Sequence, residues 1–350
     1  MLILAAQTTC RQVLTRIVAF KDLYMHRRRF LNLSLLTFSI GSLGACASSS
    51  PNKKVFRGYT QSELDDAYNQ DVWAHPGFER TIQSYGDISE RVKRKYAFKT
   101  FSYGGKASEV LDVFAPDDAI AAPIHVFIHG GAWRSLSKDT SSGPAPVFVT
   151  RGGIYIALNF DNIPATTLAG MVEQCRSALL WVYRNAEKIG GDRNRITLSG
   201  HSSGAHLAGV MLTTEWSRYG EPNKLIQGAV LISGMCDLEA PMLSFRANYL
   251  KLTPTETYAF SPIHFVSKIS CPVFVVWGQH ESPEFKRQSI TFAQALRSAG
   301  RLQGSLELAG IDHLEAALEL NDPKSVVANI ALKQMDLDSS LAADDFQSKS

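Results

Sequence analysis

A serine stands between two glycines at residues 200–204, which read Gly-His-Ser-Ser-Gly. A strand is predicted just before this motif, and the small residues that follow it predict the start of a helix. Two glycines permit the crowded strand-to-helix turn that lifts a serine hydroxyl above a sheet. In this context the pattern predicts that Ser202 is a nucleophile, the alternative being a glycine–serine turn without chemistry.

A nucleophilic serine needs a base, and three histidines follow Ser202 at suitable distances. His264 comes before the predicted strand at 273–277, where the chain order of serine, acid and histidine excludes it. His280 adjoins a candidate acid and could not easily turn towards the serine as well. His313 follows the last predicted strand in a loop that can reach Ser202, so it is the predicted base.

Two carboxylates could orient that base. Glu281 lies in the loop after the predicted strand at 273–277, and Asp237 follows the preceding strand. We favour Glu281 and keep Asp237 as the alternative. The acid would hold the His313 tautomer and stabilise the imidazolium formed during attack. Asp312 is nearer to His313 in sequence, but adjacent side chains point apart, so a surface role is predicted for it.

Residues 129–133, His-Gly-Gly-Ala-Trp, directly follow a predicted strand. Acyl transfer needs backbone N–H groups aimed at the carbonyl oxygen as it becomes negative, and glycines let the backbone approach the substrate closely. Gly130 and Gly131 are therefore predicted to form an oxyanion hole with the N–H of Ser203. Trp133 is a candidate for the wall of a substrate pocket. The histidine that opens the motif is expected to pack under the loop.

The elements that must position these residues form an alternating series. The predicted strands span residues 96–103, 109–114, 124–128, 154–159, 195–198, 229–232, 273–277 and 305–308. Helical stretches between them include residues 168–189, 205–213 and 285–298. Near-continuous apolar strands alternating with helices predict an α/β fold with a mostly parallel, eight-stranded sheet and helices on both faces. We expect one catalytic domain at 55–336 and a polar tail at 337–350.

Bulk composition points to an ordinary globular protein: of 350 residues, 45% are hydrophobic and 20% charged. The formal net charge of +3 is small and gives no indication of a nucleic-acid partner. The five cysteines show no CxxC pair and no metal-ligand spacing, so neither a metal site nor a disulfide framework is expected. Cys175, Cys236 and Cys271 are predicted to be buried thiols.

The N-terminus has the features of an export signal. Residues 27–31 read Arg-Arg-Arg-Phe-Leu, and a short apolar run follows that ends Leu-Gly-Ala-Cys at Cys46, like a bacterial lipobox. By that resemblance the chain is cleaved before Cys46, which carries lipid, and residues 47–54 form a flexible tether. Met25 is a candidate start. We expect residues 1–50 to direct the protein to the bacterial cell envelope, the alternative being an anchor helix or a chance apolar stretch.

Together these motifs resemble the kynurenine formamidase (arylformamidase) branch of the α/β-hydrolases over about residues 59–320. The similar segments are residues 129–134, 190–195, 200–208, 233–239, 261–262 and 281–289. The resemblance implies the α/β-hydrolase fold and the triad Ser202, Glu281 and His313. Two positions depart from the branch: Glu281 stands where Asp is more frequent, and Asp161 replaces an aromatic or small residue.

Three functions follow from these observations. An arylformamidase would cleave N-formyl anilines such as N-formylkynurenine, whereas a short-chain carboxylesterase would accept small acyl esters. A lipid-anchored binding protein without catalysis is the third, and an intact triad argues against it. The predicted partner is a small ester or amide, and no cofactor is expected.

Overall fold

The computed structural model describes residues 53–74 and 77–337. The strands are β1 Lys54–Phe56, β2 Tyr59–Thr60, β3 Lys99–Ser102, β4 Val110–Phe114, β5 Ala122–Ile128, β6 Ile154–Leu158, β7 Gly191–His201, β8 Gly228–Ile232, β9 Val273–Gly278 and β10 Leu302–Leu308. The α-helices are α1 Gln61–Ala67, α2 Gln70–Trp73, α3 Phe78–Lys95, α4 Ala145–Val149, α5 Leu168–Asn185, α6 Ser203–Leu212, α7 Glu239–Leu243, α8 Ala247–Leu250, α9 Pro254–Ala259, α10 Pro283–Ser298, α11 Glu315–Leu318 and α12 Val326–Gln334. None of the helices in the described part is long and apolar enough to cross a membrane.

Eight strands form the central sheet in the order β10-β9-β8-β7-β5-β6-β4-β3. The six strands from β5 to β10 pair in parallel, and β4 and β3 pair antiparallel at one edge. The carboxyl ends of the parallel strands therefore meet along one edge of the sheet. The loops after β5, β7, β8, β9 and β10 all start there, which brings distant parts of the sequence together.

Helices cover both faces of this sheet. Ile124 and Val126 of β5 pack into one apolar layer with α5, α6 and α10, whereas Phe127 faces the other layer with α4 and α12. Strands buried on both faces must be apolar on both, which explains their near-continuous apolar sequence. One polar exception is His125, whose ring nitrogens lie 2.9 Å from Thr197 Oγ1 and 2.6 Å from Ser199 Oγ.

The predicted fold class is confirmed, and all eight predicted strands are present with shifted ends. The strand before Ser202 begins at Gly191, four residues earlier than predicted. Four regions carried no predicted element: the hairpin β1–β2 with α1 to α3, the helix α4, the short helices α7 to α9, and the helices α11 and α12. The domain limits 55–336 and the tail 337–350 stay predictions, and residues 1–50 lie outside the described residues.

Candidate active site

Ser202 occupies a sharp turn between β7 and α6. Its backbone angles are φ 55° and ψ −121°, a conformation that side chains rarely adopt. Both flanking positions must be glycine because a Cβ there would clash with the main chain. A Cβ on Gly200 would lie 2.4 Å from Gly204 O, and one on Gly204 would lie 2.1 Å from Ile128 O. The Ser202 N–H donates to Ile232 O at 2.8 Å, which fixes the turn to the end of β8.

His313 reaches this serine from the loop after β10. Its Nε2 lies 2.9 Å from Ser202 Oγ, in position to accept the hydroxyl proton, and the residue is 1% exposed. Phe285 packs edge-on against the imidazole with ring centroids 4.4 Å apart. His201 Nε2–H donates to His313 O at 2.7 Å, so the residue before Ser202 holds the main chain of the base. Burial lowers the pKa of His201 to about 3, which keeps this ring neutral.

Glu281 lies on the opposite side of the imidazole. Its Oε2 is 3.4 Å from His313 Nδ1. Its Oε1 accepts the Gly278 N–H at 2.7 Å and the hydroxyl of Ser233. These two donors come from the ends of β9 and β8, so the sheet itself sets the direction of the carboxylate. The structure thus brings together the three residues of the predicted triad.

The other two acids lie elsewhere. Asp237 is turned towards its own helix start, where Oδ1 accepts the Glu239 N–H at 3.0 Å. The surface role predicted for Asp312 is wrong: this residue is 0% exposed. Asp312 Oδ1 accepts the N–H groups of Leu314 and Glu315, each at 2.8 Å. A carboxylate at a helix start satisfies backbone donors that would otherwise lack partners, which explains its burial beside His313.

The loop after β5 approaches the nucleophile at Gly130. A Cβ on Gly130 would lie 3.2 Å from Ser202 Cβ and 2.9 Å from His201 O. Gly131 has φ +105°, and a Cβ there would lie 2.1 Å from Ser135 O, so only glycine fits. Ser203 is the first residue of α6, where an N–H has no acceptor inside its own helix. The structure therefore places Gly130 against the nucleophile, with Gly131 next to it in the loop and Ser203 directly after Ser202, and their role as an oxyanion hole stays a prediction.

Trp133 is buried rather than open to a ligand, with an exposed fraction of 1%. Its main-chain N–H donates to Ser203 Oγ at 3.2 Å, and its indole N–H donates to His206 Nδ1 at 3.3 Å. His206 Nε2–H in turn donates to Phe260 O at 2.7 Å. Burial lowers the pKa of His206 to about 4, so the ring stays neutral and can accept at Nδ1. The role of Trp133 as a pocket wall stays a prediction.

Sequence reasoning did not single out His206. It lies one turn after Ser202 in α6, and its N–H donates to Ser202 O at 3.1 Å. Its position close to the predicted nucleophile is the sequence feature that could have identified it. Asp161, the second departure from the family pattern, pairs with Lys106 at 2.8 Å and accepts from Gln174 at 3.0 Å. Its charge is therefore compensated within the protein.

Within the described ranges, no group of three or more His, Cys, Asp or Glu side chains could hold a metal ion. Cys175, Cys236 and Cys271 are buried thiols without disulfide partners, as predicted. Cys46 lies outside the described residues. What the site contains is an aligned hydroxyl, imidazole and carboxylate beside a glycine-rich loop, which is the arrangement needed for acyl transfer.

The family model described as BD-FAE matches residues 111–296, more than half of the chain. The chain belongs to the BD-FAE family. Its relatives include kynurenine formamidase from Danio rerio, 35% identical over 67% of this chain and 80% of the relative, and that from Salmo salar, 34% identical over 80% and 98%. Esterase LipQ from Mycobacterium tuberculosis is 29% identical over 59% of this chain and 55% of the relative.

Solved structures share the fold of this BD-FAE protein. An esterase from Pyrobaculum calidifontis superimposes with a TM-score of 0.60 at 19% identity, covering 74% of this chain and 91% of that one. A thermostable carboxylesterase from a metagenomic library gives 0.57 at 20%, covering 73% and 94%. The predicted resemblance to the kynurenine formamidase and esterase branch is confirmed. The BD-FAE protein is a serine hydrolase of the arylformamidase or carboxylesterase type.

Proposed function

We propose that this protein hydrolyses small aryl formamides, and short-chain esters with lower preference, through an acyl-enzyme on Ser202. The observation that supports this mechanism is the 2.9 Å contact between Ser202 Oγ and His313 Nε2. It occurs at a residue held in a strained turn at the carboxyl edge of the sheet. A hydroxyl so placed has a base within hydrogen-bond reach before the substrate arrives.

The proposed reaction has two halves. Ser202 Oγ attacks the carbonyl carbon while His313 Nε2 takes its proton, and the N–H groups of Gly130, Gly131 and Ser203 receive the oxyanion. Glu281 stabilises the imidazolium, which then gives its proton to the departing amine or alcohol. Water, deprotonated by the same histidine, attacks the acyl-enzyme and releases the acid and Ser202.

The relatives favour the formamide over the ester. The kynurenine formamidases of Danio rerio and Salmo salar are 34–35% identical and match 67–80% of this chain. That of Drosophila melanogaster is 26% identical over 81%, and esterase LipQ is 29% identical over 59%. A general short-chain carboxylesterase is the second candidate. It is favoured by the relative esterase LipQ, whereas the solved esterases at 19–20% identity share the fold alone.

The test compares the full chain with Ser202→Ala on N-formylkynurenine and p-nitrophenyl acetate. Ser217→Ala, a change at an exposed serine, is the matched control. We expect Ser202-dependent turnover with a higher kcat/KM for the formamide. Ester turnover alone would make the protein a carboxylesterase. A protein that turns over neither substrate and resists a fluorophosphonate probe would be the non-catalytic binding protein.

We also propose that the protein is exported and anchored by lipid at Cys46. Residues 27–31 and the Leu-Gly-Ala-Cys sequence ending at Cys46 support export and lipid attachment in a bacterial envelope. Labelled palmitate should enter the intact chain and be absent from Cys46→Ser, with Cys10→Ser as the matched control. Equal labelling of all three, or none in any, would refute lipidation at Cys46. Cell fractionation of the same strains reports whether the chain is exported.

A further inference from the structure

Arg246 is a buried cation without a carboxylate partner. It lies directly before α8, in the segment after β8, and is 2% exposed. Its Nη2–H donates to Tyr68 O at 2.8 Å and its Nη1–H to the Tyr249 hydroxyl at 3.2 Å. The Nε–H is buried with no hydrogen-bond partner among the described residues. Asp65 accepts the N–H of the preceding residue at 2.6 Å, but no carboxylate of the described ranges forms an ion pair with Arg246.

Arginine is seldom buried without a counter-ion, because the loss of its hydration is costly. Glu284, which also contacts Tyr68, does not supply one. Both of its oxygens accept from Arg287, at 2.7 Å each, and Oε1 also accepts the Tyr68 hydroxyl at 3.1 Å. The rings of Tyr68 and Trp133 lie 5.5 and 5.8 Å from Arg246 Cζ and stabilise the cation, but they carry no net charge. The positive charge of Arg246 is therefore not neutralised by the side chains that touch it.

Two sets of contacts connect Arg246 to the reacting groups. On one side its guanidinium lies against the ring of Trp133, which belongs to the loop after β5. On the other side it lies against the Tyr68 ring, which packs on Phe285 with centroids 5.5 Å apart. Phe285 in turn packs on the imidazole of His313 at 4.4 Å. The cation thus contacts both the glycine-rich loop and the aromatic cluster that supports the base.

We propose that Arg246 determines specificity by binding a carboxylate on the leaving group of the substrate. A carboxylate accepts from Nε–H and a second N–H on the same edge of a guanidinium, and it supplies the missing counter-ion. His313 gives its proton to the leaving group, so this part of the substrate lies on the side of the aromatic cluster. The substrate class is then an aryl formamide or ester whose amine or alcohol part carries a carboxylate, as in N-formylkynurenine. This inference rests on the proposed serine hydrolase function.

The low exposure of Arg246 does not separate it from a substrate. Ser202 is itself 4% exposed and His313 1%, so a substrate reaches the nucleophile only by displacing side chains that cover it. Arg246 lies among the short helices α7 to α9, which follow β8 at the carboxyl edge of the sheet. A charge held away from water attracts a counter-ion more strongly than an exposed arginine does. Its burial therefore favours recognition of an anionic group.

The experiment compares kcat/KM for substrate pairs that differ only in the carboxylate. N-formylkynurenine is paired with its carboxamide, and p-acetoxyphenylacetate is paired with its carboxamide, so that a formamidase and an esterase are both tested. We expect the wild type to prefer the carboxylate about 10–100-fold in whichever pair it turns over, as hydrogen bonds to a charged group predict. Arg246→Met, which removes the charge and keeps a long side chain, should abolish that preference. Arg246→Lys, which keeps the charge without the planar fork, should give an intermediate ratio.

The ratio within a pair separates recognition of the carboxylate from a structural role. A variant that only loosens the bond to Tyr68 O would lower kcat/KM equally for both members of a pair. Arg195→Met is the matched control, because Arg195 also donates to a main-chain carbonyl at 2.8 Å, that of Met335, and lies in the amino-terminal half of β7. Its ratio should equal that of the wild type. The same ratio in Arg246→Met, or a wild type without preference for the carboxylate, would overturn the role of Arg246.

Binding to Ser202→Ala distinguishes a failure of this inference from a failure of the proposed function. Calorimetric titration measures the Kd of N-formylkynurenine and of its carboxamide for Ser202→Ala and for the double variant with Arg246→Met. Tighter binding of the carboxylate that disappears in the double variant supports the site. Equal or undetectable binding of both compounds contradicts it. Absence of Ser202-dependent turnover on both pairs of substrates would instead be a failure of the proposed function.

Discussion

The hydrogen bond between Trp133 and His206 should control the rate of the reaction although neither side chain touches the triad. Ala132 and Trp133 have φ 54° and 61°, left-handed conformations that cost about 1–3 kcal/mol each in a residue other than glycine. Such a loop keeps its shape only where its surroundings hold it. Three bonds of Trp133 do so: its indole N–H to His206 Nδ1 at 3.3 Å, its main-chain N–H to Ser203 Oγ at 3.2 Å, and the Ile163 N–H to its carbonyl oxygen at 2.9 Å.

The perturbation is His206→Leu, which leaves the Trp133 indole N–H buried without an acceptor. An unsatisfied buried donor costs about 1–3 kcal/mol, enough to shift the loop. Loss of one oxyanion donor typically lowers kcat about 10²–10³-fold. A displaced loop still donates weaker N–H hydrogen bonds to the oxyanion. We therefore expect kcat to fall about 10–100-fold with little change in KM. His206→Gln should recover part of the rate because its amide can accept and donate.

Steady-state kinetics of the purified chain, on whichever substrate it turns over faster, measures this effect. Trp133→Phe, which removes the donor of the same bond, is the second single variant. The double variant should lose less than the sum of the two single losses, because the two residues share one bond. Trp216→Phe is the matched control, since Trp216 is equally buried at 1% exposure and its ring packs against Tyr219, which is not assigned to the site. If Trp133→Phe and His206→Leu lower Tm as Trp216→Phe does but leave kcat within about twofold, the pair is only structural and the reasoning fails.

Three other perturbations test neighbouring parts of the argument. Glu281→Gln should lower kcat by about 10²–10⁴-fold in steady-state assays, and a loss below about threefold would remove Glu281 from the triad. Gly131→Ala should cost about 10²-fold or more in kcat because its Cβ meets Ser135 O at 2.1 Å, whereas Gly152→Ala, at φ +82° in open space, should lower Tm alone. Acidification should destabilise the fold through four buried histidines, each of which binds a proton more readily when unfolded. They are His125 and His201, with pKa lowered to about 3, and His129 and His206, with pKa lowered to about 4. For each of these histidines, the free energy of unfolding falls by about 1.4 kcal/mol per pH unit as pH falls from 6.5 towards 4. The urea midpoint of unfolding should therefore drop across that window. A constant midpoint would refute the neutrality of the four rings.

The fold was predictable because its strands are continuous apolar segments that are easily recognised in the sequence. A strand buried on both faces of a parallel sheet is apolar throughout, as in β5 and β8, where every residue but His125 is a core type. The eight strands and the helices α5, α6 and α10 followed from that pattern. The hairpin β1–β2 and the helices α1 to α3 carry mixed, polar sequences and are held by long-range contacts. One is the bond from Tyr68 Oη to Glu284, 216 residues away, which no local pattern contains.

The grouping of Ser202, Glu281 and His313 was predictable for a different reason. Each follows the end of a parallel strand, and parallel strands end at one edge, so chain order already sets their proximity. Asp312 shows the limit of such reasoning. The Asp312 side chain does point away from that of His313, but it points into the protein. There its carboxylate accepts the N–H groups of Leu314 and Glu315 at the start of α11. Whether a side chain that points away from its neighbour reaches solvent depends on tertiary packing, which local sequence does not show.

Strain at one edge of the sheet connects the fold to the chemistry. Nine described residues other than glycine have positive φ, and five of them lie in the loops directly after β5, β7 and β8. They are Ala132, Trp133, Leu136, Ser202 and Ser233. Each would relax in an isolated loop, so rigid strands on both sides must hold it. Ser202 N–H to Ile232 O and Ser233 N–H to Val276 O, both 2.8 Å, show how neighbouring strands do so. Ser233 then holds Glu281 through its hydroxyl, so the strained turn after β8 helps to direct the carboxylate towards His313. The sheet thus supplies the positional accuracy that acyl transfer requires, and the loops supply only the reacting groups.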